Sequence, residues 1–234
     1  MFGGKKKTPA PSKFNGEIVS EAFVTAINLS NALGLATGQI MNNSTPWLMF
    51  TYKGKELYVP KLPLRHSLGW QHIYAVGAVY GSDDTGIYPV TSAARVQDQR
   101  VNINGKTYKV RLLKGATTNP IATDIPDGYD QEFTYGSEWN DLFYPISNDP
   151  SALSYDGPRI TNPYSPSDLG FGNAEVLISA CSITQEVGGG SSPLALTRGG
   201  FQGGHANSVS HNRYSQVSSG AGGFGWRPCL ELVP

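Results

Sequence analysis

Two stretches of this sequence have little choice of how to turn. In VNINGKTYKVRLLKG, Asn104-Gly105 stands between alternating apolar and polar residues, and this dipeptide accepts the two left-handed conformations that a two-residue hairpin turn demands. Upstream, LMFTYKGKELYVP has the same arrangement around Lys53-Gly54-Lys55, and Pro60 and Pro63 end its second strand because proline has no N–H for a ladder. The two hairpins are loosely alike, but two copies bury no continuous core and are not a repeat array. A loop-rich α+β fold is expected.

Composition narrows the class. A chain of 234 residues and 25.1 kDa is long enough for one large or two small domains without disulfide or metal staples. Charged residues make up 15%, against roughly 25% in ordinary soluble domains. Eighteen basic residues balance eighteen acidic ones, which argues against a nucleic-acid binder, whose affinity comes from a basic face. No run reaches the roughly 18 apolar residues of a membrane span, so none is expected. The lysines of MFGGKKKTPAPSKFNGE have no apolar segment behind them, so no secretory signal and synthesis in the cytosol are expected. Cys181 and Cys229 are expected as buried free thiols ahead of a single bridge.

Along the chain, residues 1–16 read as an extended basic arm that orders on a partner. Ser20 reads as the cap of a helix with Phe23, Ile27 and Leu33 near one face, weakened by Asn28, Asn31, Gly34 and Gly38. Trp70, Ile73, Tyr74 and Gly77 share a face of a short helix that Gly81 stops, and Ser137 caps another in which Trp139, Leu142 and Phe143 align before Pro145. A long loop is expected over 147–172 and a glycine-rich polar one over 202–223, with strands over 174–187, 194–201 and 225–233. Between Gly115 and Glu175 ten acids face one base, Arg159. These shifts divide the chain into 1–44, a hairpin region 45–114, and 115–234.

Candidate chemistry is sparse. No Ser-His-Asp order, GxSxG elbow, P-loop or dinucleotide fingerprint is present. His205 and His211 are six apart with no acid between, unlike a helical metal pair. Asp124, Asp127 and Asp130 lack the alternating order of a calcium loop and are expected in a solvated turn. Trp139 is expected in the core with Asn140 and Asp141 solvated. No metal, cofactor or catalytic residue is nominated. Tyr129, Tyr135, Tyr144, Tyr155, Tyr164 and Tyr214 lie among Asn, Ser and Gly, a composition shared by recognition loops and by loop cores with satisfied hydroxyls.

Ser137-Glu138-Trp139, Arg198-Gly199-Gly200-Phe201, Arg213 and Gly225-Trp226-Arg227, in that order over the last 120 or so residues, resemble the C-type-lectin-like fold. The branch is the one shared by formylglycine-generating enzymes and phage tail-tip proteins with variable receptor binding. The preceding segments, PWLMFTYKGKELYVPKLPLRHSLGW and YKVRLLKG, and the closing Gly-Trp-Arg-Pro-x-Leu-Glu resemble virion structural proteins of tailed phages.

The resemblance implies a non-enzymatic structural protein of a phage particle, an exposed fibre, collar or tail component on the virion surface. Residues 1–44 would dock on other virion proteins, and loops 147–172 and 202–223 of a lectin-like domain over 115–234 would meet a host glycan or protein. Tyr155, Asn162, Tyr164, His205, Asn207, His211 and Tyr214 are the expected contacts, while Trp139, Arg198, Gly199, Gly200, Arg213, Trp226 and Arg227 are expected to hold the fold. The resemblance also implies a homo-oligomer, expected as a trimer. Two alternatives stand beside it, a capsid decoration or connector and a metal-dependent enzyme of the same fold. Against the second, the enzymes' copper-binding cysteines lie close in sequence, whereas Cys181 and Cys229 are 48 positions apart. Trp139-Asn140-Asp141 matches a lectin calcium tripeptide but stands too far from the C-terminal strand.

Overall fold

In the computed structural model the described residues are 12–87, 93–117, 137–148, 159–171, 181–188, 193–199, 212–216 and 224–234. They form two six-stranded sheets, with strands numbered in chain order. The first sheet is antiparallel throughout and runs β1 (Ser12–Ile18), β3 (Trp47–Tyr52), β4 (Lys55–Pro60), β12 (Cys229–Leu232), β7 (Lys106–Arg111), β6 (Arg100–Ile103). The second runs β10 (Asn212–Gln216), β9 (Leu194–Arg198), β8 (Cys181–Val187), β11 (Phe224–Trp226), β5 (Arg65–His66), β2 (Gln39–Ile40), with β8 and β11 parallel. The fold is loop-rich α+β with few helices. Among the described residues no helix is long and apolar enough to cross a membrane.

Both hairpins form where the turn residues demand. Lys53 and Gly54 take φ of 51° and 78°, Asn104 and Gly105 take 52° and 78°, and the strands pair directly at Tyr52 with Lys55 and Ile103 with Lys106. The side-chain period of two then divides the first sheet between two cores. Trp47, Tyr58, Tyr108, Val110 and Leu230 face a core shared with α1 (Ala26–Leu33), α2 (Trp70–Ala75) and the second sheet. Leu48, Phe50, Leu57, Val59 and Cys229 face the other, closed by α3 (Glu138–Phe143) and by Leu169 and Phe171.

Several elements differ from expectation. Residues 12–16 belong to a strand, because β1 pairs with β3 through a bulge at Phe14 and Gly16, where glycine takes φ 106°. Ser20 opens a 3-10 turn, and α1 starts after Thr25, whose hydroxyl accepts the Asn28 N–H. That start turns Ala26, Leu29 and Leu33 inward and leaves Ile27 exposed. Helix α2 ends at Ala75, short of the expected Tyr80, as Gly77 turns left-handed at φ 78°. The closing strand is two strands in different sheets, β11 and β12, separated by Arg227-Pro228, where proline has no N–H to continue a ladder.

Helix α3 forms as expected, with Ser137 Oγ accepting the Asn140 N–H at 3.3 Å and Pro145 inside the 3-10 turn that follows. Cys181 and Cys229 are buried free thiols. Each sheet takes strands from all three segments drawn at residues 44 and 114, since β1, β4 and β12 share the first and β2, β5 and β8 the second.

Candidate functional site

Strand alternation assembles a highly charged site. Lys109 and Arg111 lie two apart on β7, and Glu231 on β12 pairs with Lys109 on one side and Leu57 of β4 on the other. All therefore share the face of the first sheet that α3 covers, together with Lys55, two residues before Leu57. Among the described residues, the cover stops past the N-terminal end of α3, and those that remain line a cleft of about 420 Å³.

Its floor is a locked ion-pair network. Arg111 Nη1 and Nη2 donate to the two carboxylate oxygens of Glu138 at 2.7 Å each, and Nε donates to Glu231 Oε2 at 3.0 Å. Lys55 Nζ meets Glu231 Oε1 at 2.5 Å, and the Lys114 N–H donates to Glu138 at 3.0 Å. Two-pronged geometry of this kind is the strong form of such pairs and suits burial, where an unpaired charge is costly. Burial alone would raise the Glu231 carboxyl, but the Lys55 hydrogen bond and the Arg111 charge outweigh it and hold it below the usual range. Burial also pushes the neighbouring Cys229 thiol up to about 12, so it is no thiolate nucleophile. Gly81 permits this floor, as its φ is 65° and a Cβ there would stand 3.0 Å from Arg111 Cδ.

The wall is equally committed. Glu186, enclosed in β8, accepts the Gly115 N–H at 2.9 Å, while Gln185 Nε2 donates to Leu112 O at 2.8 Å, so the segment after β7 is tied to the second sheet. Burial raises the Glu186 carboxyl to about 7 despite these hydrogen bonds. The rim is cationic. Lys53 stands 4.8 Å from the Tyr52 ring centre, Lys114 is exposed beside it, and Lys109 lies 3.5 Å from Asp98. Five cationic side chains line the cleft against two carboxylates, Glu138 and Glu231.

The expected site residues fall elsewhere. Trp139 is buried as expected, but Asn140 and Asp141 are buried rather than solvated, because α3 is enclosed on every side. Arg198 Nη2 donates to Asn140 Oδ1 at 2.7 Å and the Tyr52 hydroxyl donates to Asp141 Oδ2 at 2.9 Å. Trp226 and Arg227 are buried, with Arg227 Nη2 donating to Leu169 O and its guanidinium 4.9 Å from the Phe171 ring centre. Burial lowers that guanidinium to about 9. Gly199 takes φ 72° with Phe171 packed where a Cβ would be.

Asn162 is exposed, whereas Tyr164 is half-buried, its hydroxyl donating to Glu17 at 2.7 Å and its ring centre 4.3 Å from Lys61 Nζ. Arg213 and Tyr214 lie on β10 opposite Thr197 and Leu196. Tyr155, Gly200, His205, Asn207 and His211 lie outside the described residues, as do Asp124, Asp127, Asp130, Tyr129 and Tyr135. Among the described residues no three His, Cys, Asp or Glu side chains converge to hold a metal.

Sequence reasoning missed Lys55, Arg111, Lys114 and Glu231. The alternation of Lys109 and Arg111 with Tyr108 and Val110 was a signal, but it reads as a solvent face until β12 and α3 are placed against it. No protein-family model, curated protein or solved structure matches the chain.

Proposed function

We propose that the chain is a non-enzymatic structural component of a tailed-phage virion, an exposed fibre, collar or tail part whose C-terminal 120 or so residues adopt a C-type-lectin-like fold and bind a receptor or partner. The observation that carries the binding role is the cleft, a cationic surface on a floor of paired charges. Its buried charges neutralise one another, and Glu231, held ionised by two cations, is a poor proton donor or acceptor near neutrality. Such a floor suits recognition, which needs fixed complementary charge, more than proton transfer. The order of the Glu138-Trp139 helix, the Arg198-Gly199 strand end and the strand ending at Trp226 before Arg227 supports the lectin-like assignment, with Arg198 and Arg227 both buried under the segments they hold.

The test is competition. Purified chain added to host cells before the phage is expected to slow particle adsorption in a saturable way, while heat-unfolded chain does not. Adsorption unaffected at saturating chain would exclude the receptor-binding part of the reading.

A further inference from the structure

We propose that the cationic cleft is a site for an acidic saccharide, a sugar unit carrying carboxylate or phosphate groups. The inference rests on reading the chain as a binding component and names what this surface binds. Charge points to an anion. The two carboxylates in the lining are already taken by Arg111 and Lys55. Lys53 and Lys114 are exposed and have no carboxylate partner among the described residues. They are point charges on flexible stems, which suit spaced anionic groups more than a single planar carboxylate.

The surroundings distinguish sugar from peptide. An acidic peptide that binds by strand addition needs an open sheet edge. The cleft instead lies over β4, β12 and β7, each paired on both sides, so it offers no edge. Tyr80, half-buried with its hydroxyl engaged by Ile87 O, also lines the cleft and turns part of its ring to it for a sugar. The volume of about 420 Å³ lies in the range of roughly 300–1,000 Å³ of sites that enclose small ligands.

The full chain is titrated, by surface plasmon resonance, with an oligouronate, a phosphate-bearing oligomannose, a neutral dextran of equal length and oligoglutamate. Binding of the oligouronate or the phosphomannose, weakening as salt rises from about 50 to about 200 mM, is expected, and which of the two binds assigns the acidic group. Lys53→Glu with Lys114→Glu is expected to lower that affinity by about tenfold or more with an unchanged melting temperature. Lys106→Glu, at the start of β7 and outside the cleft lining, is expected to leave it unchanged.

Absence of binding to both acidic saccharides, equal binding to dextran, preference for oligoglutamate, or indifference to the double charge reversal would each overturn the proposal. So would binding that appears only when Asp124, Asp127, Asp130 and Glu132 are neutralised, since the chain itself would then supply the cleft's anion. If the saccharides fail while the chain still competes with adsorption, the ligand assignment falls and the binding role stands.

Discussion

At the scale of single residues, the buried charges are the most consequential, and each depends on a partner far away in sequence. Glu138→Ala leaves Arg111 buried with its two-pronged partner gone, and is expected to cost about 3–5 kcal/mol in urea unfolding. Arg111→Met combined with Glu138→Leu is expected to restore much of that loss, because removing both partners leaves no orphan charge. Glu186 predicts a pH dependence. Burial raises its folded-state value to about 7 from 4.5, so the native state holds a proton that the unfolded chain releases. Its contribution is full below about 4.5 and is lost as pH climbs through about 7, on the order of 3 kcal/mol. Glu186→Gln is expected to flatten that decline, read as the difference between wild-type and variant stability at pH 4.5 and pH 7.5. None of these roles was legible in sequence. Asn140 and Asp141 read as solvated because nothing local shows that Arg198 and Tyr52 come to meet them.

At the scale of elements, legibility followed the range of the forces. The hairpins and the Ser137 cap were readable because turn chemistry and capping act within four residues. Gly105→Ala forces a Cβ onto a backbone at φ 78° and is expected to cost about 1–2 kcal/mol in the same unfolding assay. The start of α1 was misread because Ser20 and Thr25 are both competent caps, and burial of Leu29 and Leu33 decides between them. The break at Arg227-Pro228 had its signal in the proline, but apolar residues on either side of it hid the change of sheet.

At the scale of the whole molecule, β12 is the central fact. The last strand of the chain enters the middle of the first sheet, between β4 and β7, and its alternate residues serve both cores and the cleft floor. A chain lacking residues 229–234 is therefore expected to lose cooperative thermal unfolding altogether, as followed by near-ultraviolet circular dichroism. Sequence order could not reveal this insertion, since no local pattern pairs residue 230 with residues 58 and 110. The zero net charge is a sum of unlike parts, with five cations lining one cleft while ten acids fall between residues 115 and 175 of the sequence. The proposed role as an exposed virion component is tested most directly by gold-labelled antibody against this chain, applied to gradient-purified particles under the electron microscope. Label at a regular position on the outside of intact particles is the expected result, and particles free of label, with the chain left in the soluble lysate, would contradict it.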